Sequence, residues 1–307
     1  MRFGGHETFA VREGWLHKGL RLLKEDPKLL SAEDAADHLG VGRNMGKSIR
    51  HWLQATQLAE KHPDSPAGKR AELQLTELGE LVCERDPYFL SEGTWWILHI
   101  NLVNNPDFAA SWSWFFNSFG HDRFDRAVCV ESLKRHMEMT LKRMPGEATM
   151  GRDLGCLLSS YARTIPGTHD DPEDGNDCPF RDLGLLSFFR TSGYYQLHHG
   201  VKPISPAVLG YSLSMAFEDA AKGASGIDVS ITDAARQSGG PGRCFALTPE
   251  SLFEVASHAE SLAEDGSVQI SGLAGDRVIR VKRRPPVEWA RAHFAAVKER
   301  ELHAVQS

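Results

Sequence analysis

Ser31-Ala32-Glu33-Asp34-Ala35-Ala36-Asp37-His38-Leu39-Gly40-Val41-Gly42-Arg43-Asn44-Met45-Gly46-Lys47-Ser48-Ile49-Arg50-His51-Trp52-Leu53 is the stretch on which the reading of the fold turns. Ser31 is a good N-cap for a helix over 32–39, with Asp34 at the capping-box position. Gly40-Val41-Gly42 makes a tight turn, and a second helix, polar and basic at its start, follows over 43–53. Two short helices joined by a glycine turn are the helix-turn-helix pattern. Leu58 to Lys61 then reads as a strand, 62–70 as a turn-rich tip, Ala71 to Leu75 as a returning strand and 75–82 as the start of another helix. Helix-turn-helix plus hairpin predicts a winged helix. In such a module the second helix enters the DNA major groove, so Arg43, Asn44, Lys47, Ser48, Arg50 and His51 are the candidates at base edges, with Lys69 and Arg70 at phosphates on the wing. The alternative is a protein-contact module whose charges solvate a surface.

Upstream, 14–24 has helical apolar spacing at Trp15, Leu16, Leu20, Leu22 and Leu23, and Asp26-Pro27 ends it. Before that helix comes Phe3-Gly4-Gly5-His6-Glu7-Thr8-Phe9, running on to Arg12 and Gly14-Trp15. Chain starts are usually loose and polar; the aromatics Phe3, Phe9 and Trp15 predict one that is tied down. His6 can act as a general base or a ligand, Glu7 can bind a metal or orient His6, and Arg12 can clamp a phosphate oxygen. The competing reading is that His6 and Glu7 fasten the N-terminus to the core through buried hydrogen bonds.

The chain has 307 residues, 41% of them hydrophobic and 25% charged, the composition of a globular protein. No run approaches a membrane span and the start has no apolar signal region, so a cytoplasmic location with no membrane partner is expected. The five cysteines are scattered and odd in number, which argues against a disulfide framework and a cysteine-based zinc site. With a net charge of −6, nucleic-acid binding has to rest on local patches.

Asp86-Pro87 marks a boundary, and the expected organisation is an N-terminal motif plus winged helix (1–85), a central helical domain (86–190) and a C-terminal winged-helix-like domain with a helical tail (191–307). The fold class is therefore mainly α with small β hairpins. In the centre, helices are expected over 93–102 and 124–144, and Trp112, Trp114, Phe115, Phe116 and Phe119 between them read as core, the alternative being a surface that stacks exposed bases. The acidic loop 168–180 offers oxygen ligands without regular spacing, and is either solvated or a metal-assisted site. Farther on, helices over 206–221 and from Thr248-Pro249, a turn at 239–243 and a hairpin over 268–281 are expected. The hairpin's Arg277, Arg280, Lys282, Arg283 and Arg284 suit either a phosphate contact or a solvated edge.

The opening motif, together with Asp86-Pro87-Tyr88, Trp114-Phe115-Phe116-Asn117, Asp177-Cys178-Pro179-Phe180 with Leu183-Gly184-Leu185, and Gly240-Pro241-Gly242-Arg243 with Phe245, resembles a family encoded in bacterial DNA phosphorothioation cassettes. The resemblance spans nearly the whole chain. It implies a DNA-nicking component of the single-strand system, acting in anti-phage defence beside a cysteine desulfurase, an ATPase and an ATP-dependent sulfur-inserting enzyme. Nicking a phosphodiester calls for activated water, a phosphate clamp and usually a divalent cation, here Mg²⁺ or Mn²⁺. His6, Glu7 and Arg12 are the expected catalytic residues. The rival expectation is a non-catalytic DNA-binding adaptor or transcriptional regulator, since no recognised nuclease motif occurs.

Overall fold

The computed structural model describes residues 1–65, 71–165, 178–218, 225–273 and 276–306. It is mainly helical with small sheets. Internal packing divides the chain into two compact units, Met1–Leu90 with Asn101–His198, and Ser91–Ile100 with His199–Ser307. The first unit thus takes in all of 1–85 together with most of the central segment. No helix among the described residues is long and apolar enough to cross a membrane.

In the first unit α1 (Trp15–Glu25) is followed by one turn of 3-10 helix at Leu29–Ser31, then α2 (Ala35–Leu39) and α3 (Arg43–Ala55). The first helix of the pair starts later than its sequence predicts. Asp34 takes the N-cap position with no side-chain cap bond. Ser31 is occupied elsewhere: its hydroxyl donates to the Ala71 carbonyl (3.2 Å) and accepts from Arg50 Nη1 (3.1 Å). Gly40 ends α2 in the left-handed conformation, φ 63°, which is the turn its glycine allows. Gly19 of α1 packs directly on Ile49 and Leu53 of α3, where a larger residue would clash.

β1 (Ala59–Lys61) and β2 (Leu73–Leu75) pair antiparallel, Ala59 opposite Leu75. α4 (Glu77–Arg85) starts at Thr76, whose Oγ accepts from the Gly79 N–H at 3.0 Å. Thr76 also donates its N–H to the Leu58 carbonyl (3.1 Å) and its hydroxyl to the Gln57 carbonyl (2.7 Å), locking the hairpin's base to α4. α5 (Glu92–Val103) comes next in the chain, its residues up to Ile100 belonging to the second unit, and α6 (Ala110–Ser118), β3 (Arg123–Phe124), α7 (Arg126–Thr140), α8 (Glu147–Tyr161) and β4 (Ala162–Ile165) continue the first. Trp112, Trp114, Phe115, Phe116 and Phe119 are all buried, as the core reading of these aromatics expects. A 3-10 turn at Pro179–Leu183 leads to β5 (Leu186–Phe189) and β6 (Tyr194–Leu197). These strands form a sheet in the order β3-β6-β5-β4, parallel only between β4 and β5.

The second unit holds α9 (Pro206–Ala216), β7 (Gly226–Ser230), α10 (Ile231–Arg236), α11 (Pro241–Cys244), α12 (Pro249–Leu262), β8 (Val268–Leu273), β9 (Asp276–Lys282) and α13 (Pro286–Gln306). The glycine-rich stretch read as a turn contains the short α11, because Pro241 sits at a helix N1 place after Gly240. The expected hairpin forms, and β7 adds on its open edge to give the order β7-β9-β8. β7, with Ile227 and Val229 buried and Asp228 exposed between them, is not among the expected strands although its residues alternate.

Helix propensity alone favours Ala over Gly at position 79 by up to ~1 kcal/mol. A Cβ there would instead overlap the Leu58 carbonyl oxygen. Gly79→Ala should therefore lower the thermal midpoint, with a cost of roughly 1–3 kcal/mol by overpacking; a rise would mean that the hairpin base yields freely.

Candidate functional site

The opening motif is built into the first unit's core. The Arg2 N–H donates to the Pro106 carbonyl (3.2 Å), and the Ala110 N–H donates to the Arg2 carbonyl (3.4 Å), so residue 2 is pinned to the start of α6. Gly4, at φ 73°, turns its N–H onto Asp153 Oδ1 at 2.6 Å. His6 is only 1% exposed. The Thr8 N–H donates to His6 Nδ1 (3.1 Å), which puts the ring proton on Nε2, and Nε2 donates to Asp153 Oδ1 at 2.7 Å. Asp153 Oδ2 accepts from the Ser111 hydroxyl at 2.6 Å. The buried carboxylate is thereby met by donors from the N-terminus and from α6.

The rings around His6 complete the seat. Trp52 of α3 stacks on it at 6.0 Å, and Trp112 and His51 meet it edge-on at 5.7 and 6.0 Å. Trp52 Nε1 donates to the Phe9 carbonyl at 3.0 Å. Gly5 has no room for a side chain, since a Cβ would overlap His51. Glu7 and Thr8 both take left-handed backbone, φ 51° and 71°. That conformation costs a non-glycine residue about 1–2 kcal/mol, and the Thr8 and Phe9 N–H bonds to His6 hold it in place.

The three residues expected to catalyse are not gathered into one constellation by this packing. His6 is sealed and both of its ring nitrogens are engaged. Glu7 is partly exposed, its Oε1 4.0 Å from Lys47 Nζ. Arg12 is exposed and lies over the Phe9 and Trp15 rings, 5.9 and 5.5 Å from their centroids. The candidates on α3 divide by face. Arg43, Asn44 and Lys47 are exposed, with Lys47 Nζ donating to Asn44 Oδ1 at 3.2 Å. Ser48 and His51 are buried, because residues three or four apart along a helix share its inward side with Ile49, Trp52 and Leu53. Arg50 is half-buried and turned inward: Nη1 donates to the Leu30 carbonyl and Ser31, and Nη2 to the Ala71 carbonyl. Burial, and Arg2 nearby, lower its pKa. Lys69 and Arg70 lie outside the described residues, as do residues 168–177 of the acidic loop read over 168–180.

Asp153, Ser111 and the Trp52–Trp112 pair were not singled out by sequence. Asp153 did leave a trace: it is a lone carboxylate inside the run of apolar residues Met150, Leu154, Cys156, Leu157 and Leu158. In the second unit, part of the basic hairpin is matched internally. Arg280 donates to both Asp228 oxygens at 2.6 Å, and Arg284 donates to Asp265 at 2.9 Å. Asp265 sits at about 2: its modest burial would raise it, but Ser267, Arg284 and Lys282 outweigh that.

A helical protein with this N-terminal seat matches, over residues 3–292, the model of a family described as proteins of unknown function, DUF4007; the chain belongs to that family. Among solved structures it is similar to a magnesium-ion-bound SspB, at 26% identity and TM-score 0.77, over 98% of this chain and 96% of that one. A second SspB crystal structure aligns at 26% identity and TM-score 0.78, over 99% of this chain and 89% of the other. No functionally curated sequence matches significantly.

Asp153→Ala would leave the Gly4 and His6 N–H groups and the Ser111 hydroxyl unmatched in the core. At ~1–3 kcal/mol for each orphaned donor, the loss should exceed ~3 kcal/mol in urea unfolding; a loss under ~1 kcal/mol would show that the seat is dispensable. His51 gives a pH signature. Burial, with His6 and Arg2 adding to it, holds its pKa at about 3 against an ordinary 6.5. The unfolded chain therefore binds the extra proton between those values, and its share of stability is present above pH 6.5 and lost as pH falls toward 3. Unfolding of His51→Phe should show a flatter acid limb than wild type, by up to ~1.4 kcal/mol per pH unit.

Proposed function

We propose that this chain is the DNA-engaging component of a DNA phosphorothioation system, holding duplex DNA through a winged helix in its first unit. The observation that carries the reading is the division of α3. Arg43, Asn44 and Lys47 stand exposed near its N-terminal end while its other face is buried. That is the disposition of a recognition helix, with α2 before it and the β1–β2 hairpin after it as wing. The likeness to SspB over nearly the full chain supports the system, and the family resemblance of the sequence implies a cysteine desulfurase, an ATPase and a sulfur-inserting enzyme as partners. DNA contact is assigned to the first unit because Arg280 and Arg284 in the second already have carboxylate partners.

Single-strand nicking is the reaction this role calls for in such a system. The opening motif is better suited to fastening than to cutting. His6 Nδ1 accepts from Thr8, and its Nε2 proton is committed to Asp153. Nor do these residues fit a magnesium ion: both oxygens of Asp153 already face N–H or O–H donors, and no group of His, Cys, Asp and Glu suited to a metal occurs among the described residues.

The test is duplex binding across a salt series, with supercoiled-plasmid relaxation in Mg²⁺ or Mn²⁺ followed on the same preparations. If Arg43 and Lys47 each neutralise a phosphate, Arg43→Ala with Lys47→Ala should flatten the salt slope by roughly 2. An unchanged slope removes α3 from the interface. Plasmid relaxation that survives Glu7→Gln and Arg12→Ala would place strand cutting outside the opening motif.

A further inference from the structure

The four-stranded sheet of the first unit has one face packed and one open. Each of its two central strands carries a pair of consecutive aromatics, Phe188-Phe189 in β5 and Tyr194-Tyr195 in β6. Successive strand residues point to opposite faces, so each pair sends one ring each way. Register makes the choice the same on both strands: Phe188 lies opposite Tyr195, and Phe189 opposite Tyr194. Phe188 and Tyr195 meet at 4.6 Å, and Phe124 of β3 stacks on Tyr195 at 5.5 Å. Ala162, Leu186 and Leu197, two positions along on that same face, are buried.

The other face keeps its rings in solvent. Ile165, Phe189 and Tyr194 form one registered row across β4, β5 and β6, exposed by 42, 37 and 39%. The Phe189 carbonyl takes the Ser192 and Gly193 N–H groups at 3.2 and 2.8 Å, and this tight turn fixes Tyr194 opposite it. The neighbouring row on the open face is Arg163, Ser187, Gln196 and Arg123. Arg163 is matched at the sheet's edge by Asp182 at 3.0 Å. Arg123 is on the opposite edge strand and reaches diagonally over Tyr194, its guanidinium 5.0 Å from the ring centroid. Among the described residues that ring, not a carboxylate, is its partner. No residue of the two rows is Asp or Glu.

We infer that this open face binds single-stranded DNA, with unpaired bases stacked on Phe189 and Tyr194 and the strand's backbone drawn to Arg123. Four-stranded sheets with outward aromatics stack two or three unpaired bases in this way, and base–ring stacking tolerates any sequence. Charge complementarity decides the occupant: a polyanion gains from Arg123 and meets no carboxylate in either row. The inference rests on the reading of this chain as a DNA-engaging component, and it adds a separated strand to the duplex held by α3.

Fluorescence anisotropy of a labelled oligothymidylate, titrated with the full chain, tests the assignment. The parent for this series carries Arg43→Ala and Lys47→Ala, so that α3 does not contribute. Phe189→Ala with Tyr194→Ala, shown folded by its thermal melt, should bind at least roughly fivefold more weakly than the parent, the loss of a stacked base. Tyr194→Phe, which restores a ring, should regain affinity over Tyr194→Ala alone. Arg123→Gln should flatten the salt slope by about 0.7, one phosphate contact on a single strand. No binding by the parent, or unchanged affinity and slope in the variants, overturns the assignment. So does tighter binding of an oligouridylate, which would give the face to RNA. A wild-type dimer that Phe189→Ala with Tyr194→Ala converts to a monomer in sedimentation velocity would give it to a second copy, with the same consequence. Duplex binding by wild type is measured separately, so each of these failures leaves the reading of α3 standing.

Discussion

The carboxylate of Asp153 is the point on which the first unit closes. A buried carboxylate is costly unless donors surround it. Here the Gly4 N–H, His6 Nε2 and the Ser111 hydroxyl do so, drawing the N-terminus and α6 onto α8. The arrangement also sets α3, because the His6 ring stacks on Trp52 and the Phe9 carbonyl takes the Trp52 N–H. The exposed edge of α3 is therefore carried on a helix whose inner face is held by the chain's own first residues.

α8 serves two environments through its glycines and its one buried acid. Asp153 points to the N-terminal seat, while Gly151 and Gly155 leave a flat strip on which Arg126 lies. A side chain at position 155 would press on that guanidinium. The strip that seats Arg126 and the anchor of the opening motif are thus neighbouring turns of one helix.

The distribution of basic side chains follows a similar logic. Arg50, Arg280 and Arg284 are committed to internal carbonyls or carboxylates, so a count of lysines and arginines along the chain overstates the positive surface. Arg43 and Lys47 stay in solvent, and Lys47 has the Glu7 carboxylate 4.0 Å away. A partner with dense negative charge would compete with that carboxylate for the same ammonium group.

Local signals carried well into the structure. Periodicity and turn chemistry located α1, α3, the β1–β2 hairpin, the Thr248-Pro249 helix start and the β8–β9 hairpin, because each is decided by residues a few positions apart. They failed where a distant partner decides. Ser31 has the chemistry of an N-cap, yet Arg50 and the Ala71 carbonyl claim its hydroxyl. Ser48, Arg50 and His51 have the composition of a recognition helix, yet α3 turns them inward. The sequence by itself determined that the opening segment, with aromatics flanking a His and a Glu, would be tied down rather than loose. Only the tertiary structure decided what it is tied to. Asp153 lies 147 positions from His6, and no rule of local spacing can select one carboxylate at that distance before the chain has packed around it.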